Sequence, residues 1–411
     1  MDRRIFLALA LAGAAFPAAA APPTPAGLLG ATGDAYFIDW LNAFYGRALA
    51  AGVARSVLDR ELSGLAPDPR VGALDARQPE FARPVSDYVK GAVTPGRIAI
   101  GRSKRASIAS FGVIERTYGA PRDILVAVWA MESGYGAIQG DLDVVRSLAT
   151  LAALGRRRPW AEGELMAALR ILAGGDVPRA RLKGSWAGAM GQTQLLPSTY
   201  MSSAVDGDGD GRRDIWNSAP DALASAANLL AKGGWRRGES WAREVILPAG
   251  FDYGLAEGPR EAPSWWQAKG VRRADGQAWR AGDAAAPAAL ILPSGAGGPA
   301  FLVFPNHFAI RQYNNSIAYA LAVGLLADGL AGGPPLATAW PHETPLSLTE
   351  RLDAQTALTR LGFNPGAADG VVGVGTRQAL RAWQRSKGMP ADGYLSPDMV
   401  RRLRSATSAG G

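Results

Sequence analysis

Residues 124–136 read ILVAVWAMESGYG. An apolar run ends on one carboxylate, Glu132, and breaks at once into Ser133, Gly134, Tyr135 and Gly136. Over 122–132 the spacing predicts a helix, with Ile124, Val128 and Met131 on one face and Leu125 and Trp129 on another. Pro121 suits its first position. A helix apolar on most sides belongs in a core, so Glu132 is expected at the C-terminal end of a buried helix. Desolvation and the negative end of the helix dipole both favour its protonated form. That suits a general acid working near neutral pH. Gly134 and Gly136 would leave room for a bulky substrate, and Tyr135 would line its cleft. The plain alternative is a glutamate capping a helix end, and the stretch alone does not choose.

The surrounding chain limits the options. Its 411 residues allow one large domain and a small one. With 48% hydrophobic and 19% charged residues it is a folded protein. The absence of cysteine excludes disulfides, thiolate metal sites, thiol nucleophiles and a lipid-modified N-terminal cysteine. Two histidines, His307 and His342, are poor support for a histidine metal site or a Ser-His-Asp triad, and His307 in FPNHFAI reads as structural. A net charge of +8 favours anionic partners. No long Lys/Arg run is interleaved with aromatics, so nucleic acid is not the expected one. The start, MDRRIFLALALAGAAFPAAAAPPTP, has the form of a signal peptide over 1–21, cut near Ala20 or Ala21. Arg3-Arg4-Ile5-Phe6-Leu7 also resembles a twin-arginine signal, so both export routes stay compatible. An exported, periplasmic protein without a membrane-spanning helix is expected.

Apolar residues recur at helical spacing over 35–65, through Phe37, Leu41, Phe44 and Tyr45. An extended piece and then a helix are expected over 95–115. Further helices are expected over 145–154, 160–172, 222–232 and 316–330, and 247–304 mixes short β-like runs with turns. Composition shifts at 332–345 to GGPPLATAWPHETP, read as a linker. Residues 346–405 then form a small helical unit with an internal echo, AADGVVGVGTRQAL against PADGYLSPDMVRRL.

The sharpest spacing is DGDGDGRRD, residues 206–214. Asp206, Asp208 and Asp210 stand at alternating positions, Gly211 permits a sharp turn, the carbonyl of Arg212 follows, and Asp214 comes next. This is the ligand order of an EF-hand calcium loop. Position 12 holds Asn217 where a bidentate glutamate is expected, and Asp221 is the nearest replacement. Three alternating aspartates repel one another without a cation, so a structural Ca2+ is expected, and no cofactor for the chemistry.

Five motifs occur in order: ILVAVWAMESGYG, DLDVVRSLATLA, GSWAGAMGQTQLLPSTY, VDGDGDGRRDIWNSAPDALASAANLL and IRQYNNSIAYALAVGLL. Together they resemble the lytic murein transglycosylase B family over most of 35–330. DGVVGVGTRQALRAWQ resembles the small peptidoglycan-binding domain of wall enzymes. The resemblance implies a mainly α (α+β) fold. It comprises a lysozyme-like catalytic domain over 28–331, with a small β portion and an EF-hand-like loop, and a C-terminal three-helix domain. It implies Glu132 as the catalytic acid and base. Substrate would be bound by Ser185, Gln194, Tyr313, Asn314 and Tyr319, with Arg156 and Arg157 facing acidic peptide stems; Tyr135, read above as lining the cleft, joins them. Asp206, Asp208, Asp210, Arg212 and Asp221 would hold the metal. Three departures stand out: Leu195-Leu196 replaces Phe-Met, Ala153-Leu154 replaces an aromatic-acidic pair, and one extra residue separates Trp216 from Asp221.

Ordinary glycosidases use two carboxylates. Asp141 and Asp143 are near in sequence but read as a solvated loop. The resemblance implies a route with one: the muramic acid C6 hydroxyl attacks its own anomeric carbon, helped by the 2-acetamido group and by high effective molarity. Peptidoglycan glycan strands would be cut to 1,6-anhydromuramyl ends by a monomer. A muramidase using water, and a wall-binding scaffold without catalysis, are the alternatives.

Overall fold

The computed structural model describes residues 35–76 and 83–408, so the signal segment over 1–21 lies outside the described residues. In chain order the helices begin with α1 (Ala35–Ala50), α2 (Arg55–Leu62), α3 (Pro69–Ala76), α4 (Val85–Ala92), α5 (Pro95–Ala106) and α6 (Phe111–Tyr118). They continue with α7 (Arg122–Ser133), α8 (Val144–Leu154), α9 (Arg158–Gly174), α10 (Pro197–Ser203), α11 (Ala219–Lys232) and α12 (Pro263–Gln267). The last are α13 (Ala281–Ala284), α14 (Pro305–Tyr313), α15 (Ile317–Leu330), α16 (Leu348–Arg360), α17 (Val374–Ser386) and α18 (Pro397–Ser408). The strands are β1 (Leu142–Asp143), β2 (Lys183–Gly184), β3 (Ala242–Ile246), β4 (Arg272–Arg273), β5 (Ala289–Ile291) and β6 (Ala300–Val303). The chain is mainly α with a small β portion, as expected. Its described residues divide into two compact units, 35–76 with 101–229 and 83–100 with 230–408.

In the first unit α8 packs along α9 and against α1 and α3. Helix α7 is buried from Ile124 to Ala130, and α8 is buried at Val144, Val145 and from Ser147 to Ala153. Phe37, Leu41, Phe44, Tyr45 and Ala48 form the buried stripe of α1, at the spacing read from the sequence. β1 pairs antiparallel with β2, Leu142 opposite Gly184 and Asp143 opposite Lys183.

Three local expectations are corrected. Residues 95–115 hold two helices and no extended piece. The Thr94 hydroxyl accepts the Arg97 N–H at 3.2 Å, so Thr94 caps α5 and Pro95 opens it. Pro121 is not the first helical residue: its ψ of 147° is extended, and it precedes α7 as the cap. Asp143 is not a solvated loop residue. It caps α8 by accepting the Arg146 N–H at 2.9 Å, and it pairs with Arg179 at 2.8 Å.

The second unit holds the sheet β4-β3-β6-β5, all neighbours antiparallel. Its core gathers Trp266, Val271, Leu290, Leu302 and Phe304. Helix α4 packs on α15. Helices α16–α18 enclose Leu358, Leu380, Trp383, Val400 and Leu403. The sequence echo is a repeated clamp. Gln355 accepts the Gly370 N–H at 2.8 Å and donates to Asp369 at 3.1 Å; Gln384 does the same with Gly393 at 2.8 Å and Asp392 at 3.0 Å. Arg377 and Arg381 of α17 pair with Glu257, the second at 2.9 Å. Residues 332–345 have no regular structure but are tied down. The N–H groups of Ala337 and Thr338 each donate to the Glu244 carboxylate at 2.7 Å. Glu343 is buried, accepting from Ser86 N–H and the Ser294 hydroxyl at 3.1 Å and from the Tyr394 hydroxyl at 2.5 Å.

Candidate active site

Helix α7 carries Glu132 on its last turn, half-buried, between the half-buried Met131 and the buried Ser133. Its start is fixed by ion pairs, Asp123 with Arg105 and Arg122 with Glu115. Its end reverses through three left-handed residues, Gly134 (φ 59°), Tyr135 (φ 65°) and Gly136 (φ 85°). Tyr135 is buried, edge-on to Trp129 with ring centres 5.9 Å apart. A side chain at Gly136 would put its Cβ 2.6 Å from Gln192 Oε1. The space beside Gly136 therefore belongs to Gln192, where the sequence suggested room for substrate.

The glycine-rich segment forms a tight hairpin, with Met190 and Leu195 exchanging N–H···O bonds of 2.8 and 2.9 Å. Gly191 turns at φ 68° and Gln194 at φ 51°. Gln194 donates from Nε2 to the carbonyls of Gln139 and Gly191, both at 2.8 Å, while its buried Oε1 has no hydrogen-bond partner. Ser185 is fully buried, and its hydroxyl accepts the Ala189 N–H at 3.0 Å. Leu195 and Leu196 are buried too.

Gln192 and Gln139 carry no sequence signal that singled them out, yet they tie these pieces together. Gln192 reaches Trp129, Ser133, Ile215 and Trp216. Gln139 Nε2 donates to the Trp216 carbonyl at 2.9 Å. Trp129, Ser133 and Gly136 at the end of α7 and Gln194 of the hairpin thus belong to one hydrogen-bonded network. Of the two nearby aspartates, Asp141 has an 84% exposed side chain, as expected, and Asp143 is committed to Arg179. Arg156 and Arg157 have different local partners. Arg156 is exposed and anchored on Asp75, donating its N–H at 3.2 Å, while Arg157 lies 4.2 Å over the Trp160 ring. Burial holds the Arg157 guanidinium below the usual arginine range.

In the acidic loop, oxygens of Asp206, Asp208 and Asp210 lie within 4.8 Å of one another. That spacing and the hard-oxygen donor set fit a calcium ion. Asp221 does not join them. It is fully buried, accepting the Gly207 N–H at 2.8 Å and the Asp214 N–H at 2.7 Å, so it closes the loop from behind. Arg212 donates its N–H to Asp210 at 2.8 Å. Asp214 is occupied by Asn217, whose Nδ2 donates to it at 2.8 Å. Backbone N–H donors from Gly211 and Gly209 hold the Asp206 carboxyl below its ordinary range.

The other predicted residues lie in the second unit. Tyr313, Asn314 and Tyr319 are all buried, and the two tyrosine rings stack with centres 6.5 Å apart. His307 is buried against Trp241, both ring nitrogens lack hydrogen-bond partners, and burial pulls its pKa down to about 3. It is a neutral core residue.

Residues 36–328 match the transglycosylase SLT domain family, and residues 347–403 match a peptidoglycan binding domain. The chain is 33% identical over 217 residues to the membrane-bound lytic murein transglycosylase B of Escherichia coli (strain K12), covering 53% of this chain. It spans only 58% of that relative's length. Among solved structures it is similar to SltB3 from Pseudomonas aeruginosa in complex with NAG-anhNAM-pentapeptide. There the TM-score is 0.86 with 50% identity, over 90% of this chain and 99% of that one. It is also similar to the Escherichia coli lytic transglycosylase Slt35 in complex with calcium, with TM-score 0.60 and 28% identity over 71% of this chain and 92% of that one. The mainly α, lysozyme-like architecture implied by the resemblance is therefore met, and the chain belongs to the transglycosylase SLT family.

Proposed function

We propose that the chain is a lytic transglycosylase cutting the β-1,4 bond between N-acetylmuramic acid and N-acetylglucosamine in peptidoglycan. The observation that carries this is a single carboxylate on the last turn of a buried helix, with Asp141 turned to solvent and Asp143 spent on Arg179. Glu132 donates its proton to the bridging oxygen as the C1–O4 bond breaks. The C6 hydroxyl of the same muramic acid closes on C1, and its proton returns to Glu132. No water is consumed, and the product is a 1,6-anhydromuramyl end. Attack from within the sugar needs no second carboxylate to activate water. Family membership and the likeness to SltB3, bound to an anhydro-sugar product, support the same reading. Tyr135, Ser185, Gln194, Tyr313, Asn314 and Tyr319 are assigned to holding the sugar, with Arg156 and Arg157 toward the peptide stems.

In this reading residues 28–331 form the catalytic domain, 332–345 the connection and 346–405 a wall-binding domain. The protein is exported through its 1–21 signal and works as a monomer in the periplasm. Asp206, Asp208, Asp210 and the Arg212 carbonyl take a structural Ca2+, which would neutralise their mutual repulsion, with Asp221 as the supporting carboxylate.

The test is mass spectrometry of muropeptides released from purified peptidoglycan. The wild type releases anhydromuramyl products. Glu132→Gln lowers the rate on the order of 10²–10⁴-fold, the usual contribution of a positioned acid and base. Reducing-end muramic acid products would instead mean hydrolysis by a muramidase. No release by either protein would leave a wall-binding scaffold.

A further inference from the structure

We propose that Gln192 is the positioning residue of Glu132, an inference that rests on Glu132 being the catalytic acid. Its polar groups engage two segments of the first unit. On the side of α7, Oε1 accepts the Trp129 indole N–H at 3.1 Å, and the backbone carbonyl accepts the Ser133 hydroxyl. On the side of the acidic loop, the backbone N–H donates to the Ile215 carbonyl at 2.9 Å, and Nε2 donates to the Trp216 carbonyl at 3.3 Å. Ser133 directly follows Glu132, and Trp129 lies one turn before it. The Ser133 hydroxyl also accepts the Gly136 N–H at 2.8 Å, which locks the reversal after the helix.

The last turn of a helix ordinarily frays, because its final carbonyls lack intrahelical partners. Here Gln192 brackets Glu132 from both sides and fastens that turn to residues 215 and 216. Proton delivery depends steeply on geometry, and a misplacement of about 1 Å costs roughly 10²-fold in rate. The residue is 6% exposed, so its bonds are shielded from competing water.

The experiment compares Gln192→Met, which keeps the length and loses the side-chain hydrogen bonds, with Trp129→Phe, which keeps an aromatic ring and loses its N–H, and with the double variant. Readouts are kcat and KM on purified peptidoglycan, thermal midpoint, and the Trp129 indole N–H signal in a proton–nitrogen spectrum. The expected result is a kcat loss of about ten- to a hundredfold with KM changed less than threefold. The indole signal shifts in Gln192→Met, and the double variant loses no more than the worse single one. A kcat within twofold of wild type, despite a displaced indole signal, overturns the inference and leaves the role of Glu132 intact. Additive losses in the double variant overturn it as well. Should Gln192→Met fail to fold, Trp129→Phe alone decides by the same kcat and KM criterion. A wild type that releases no anhydromuramyl product, with Glu132→Gln indistinguishable from it, overturns both readings together.

Discussion

At the scale of single residues, the glycines around the candidate site answer to backbone geometry. Gly140 has φ 99°, and a Cβ there would sit 2.2 Å from the Gly184 carbonyl. Gly184 in turn leaves no room for a Cβ, which would fall 2.1 Å from the Ala189 oxygen. The β1–β2 ribbon therefore closes only on two bare backbones. Gly140→Ala is expected to destabilise the protein by roughly 1–3 kcal/mol, through a combination of overpacking and left-handed strain. Urea unfolding would measure it, and a midpoint equal to wild type would show that the ribbon can part without cost. The sequence makes Glu132 visible because one carboxylate interrupts an apolar run. It does not reveal Gln192, whose importance comes from four bonds to chain segments distant in sequence.

At the scale of elements, the long helices are legible because their apolar spacing matches their buried stripes, as in α1 and α8. The errors fall where a cap decides. Residues 95–115 read as an extended piece before a helix, but the Thr94 hydroxyl caps a helix that starts at Pro95. Asp143 reads as solvated because its partner, Arg179, is far along the chain. The acidic loop is legible in its spacing, while the role of Asp221 is not, since burial behind the loop commits both oxygens to N–H donors. Calcium is expected to raise the unfolding free energy by about 2.7 kcal/mol at a hundred times its dissociation constant. Asp208→Asn should remove most of that gain. Thermal unfolding with calcium and with a chelator checks this, and identical midpoints for the wild type would refute it.

At the scale of the whole molecule, the second unit is held by buried charge as well as by its apolar cores. Burial pushes the Glu257 carboxyl up, but Arg377 and Arg381 more than offset this and hold it below its ordinary 4.5. A depressed carboxyl stabilises the fold above its unfolded value, and that contribution fades as the pH falls through the folded one. Glu257→Gln is expected to cost roughly 3–5 kcal/mol at neutral pH, because it strands the arginines. The gap from wild type should narrow on acidification. Denaturant midpoints across pH test both the size and the sign, and a gap that widens in acid would refute the assignment. The connecting stretch 332–345 holds the last lesson at this scale. Its prolines and glycines announce an irregular segment, yet Glu244 grips it at Ala337 and Thr338, and Glu343 is buried within it. A protease should then find the junction between the family domains closed, despite a composition that elsewhere marks the easiest place to cut. Inserted residues there would not lengthen a tether; they would unfasten a buckle.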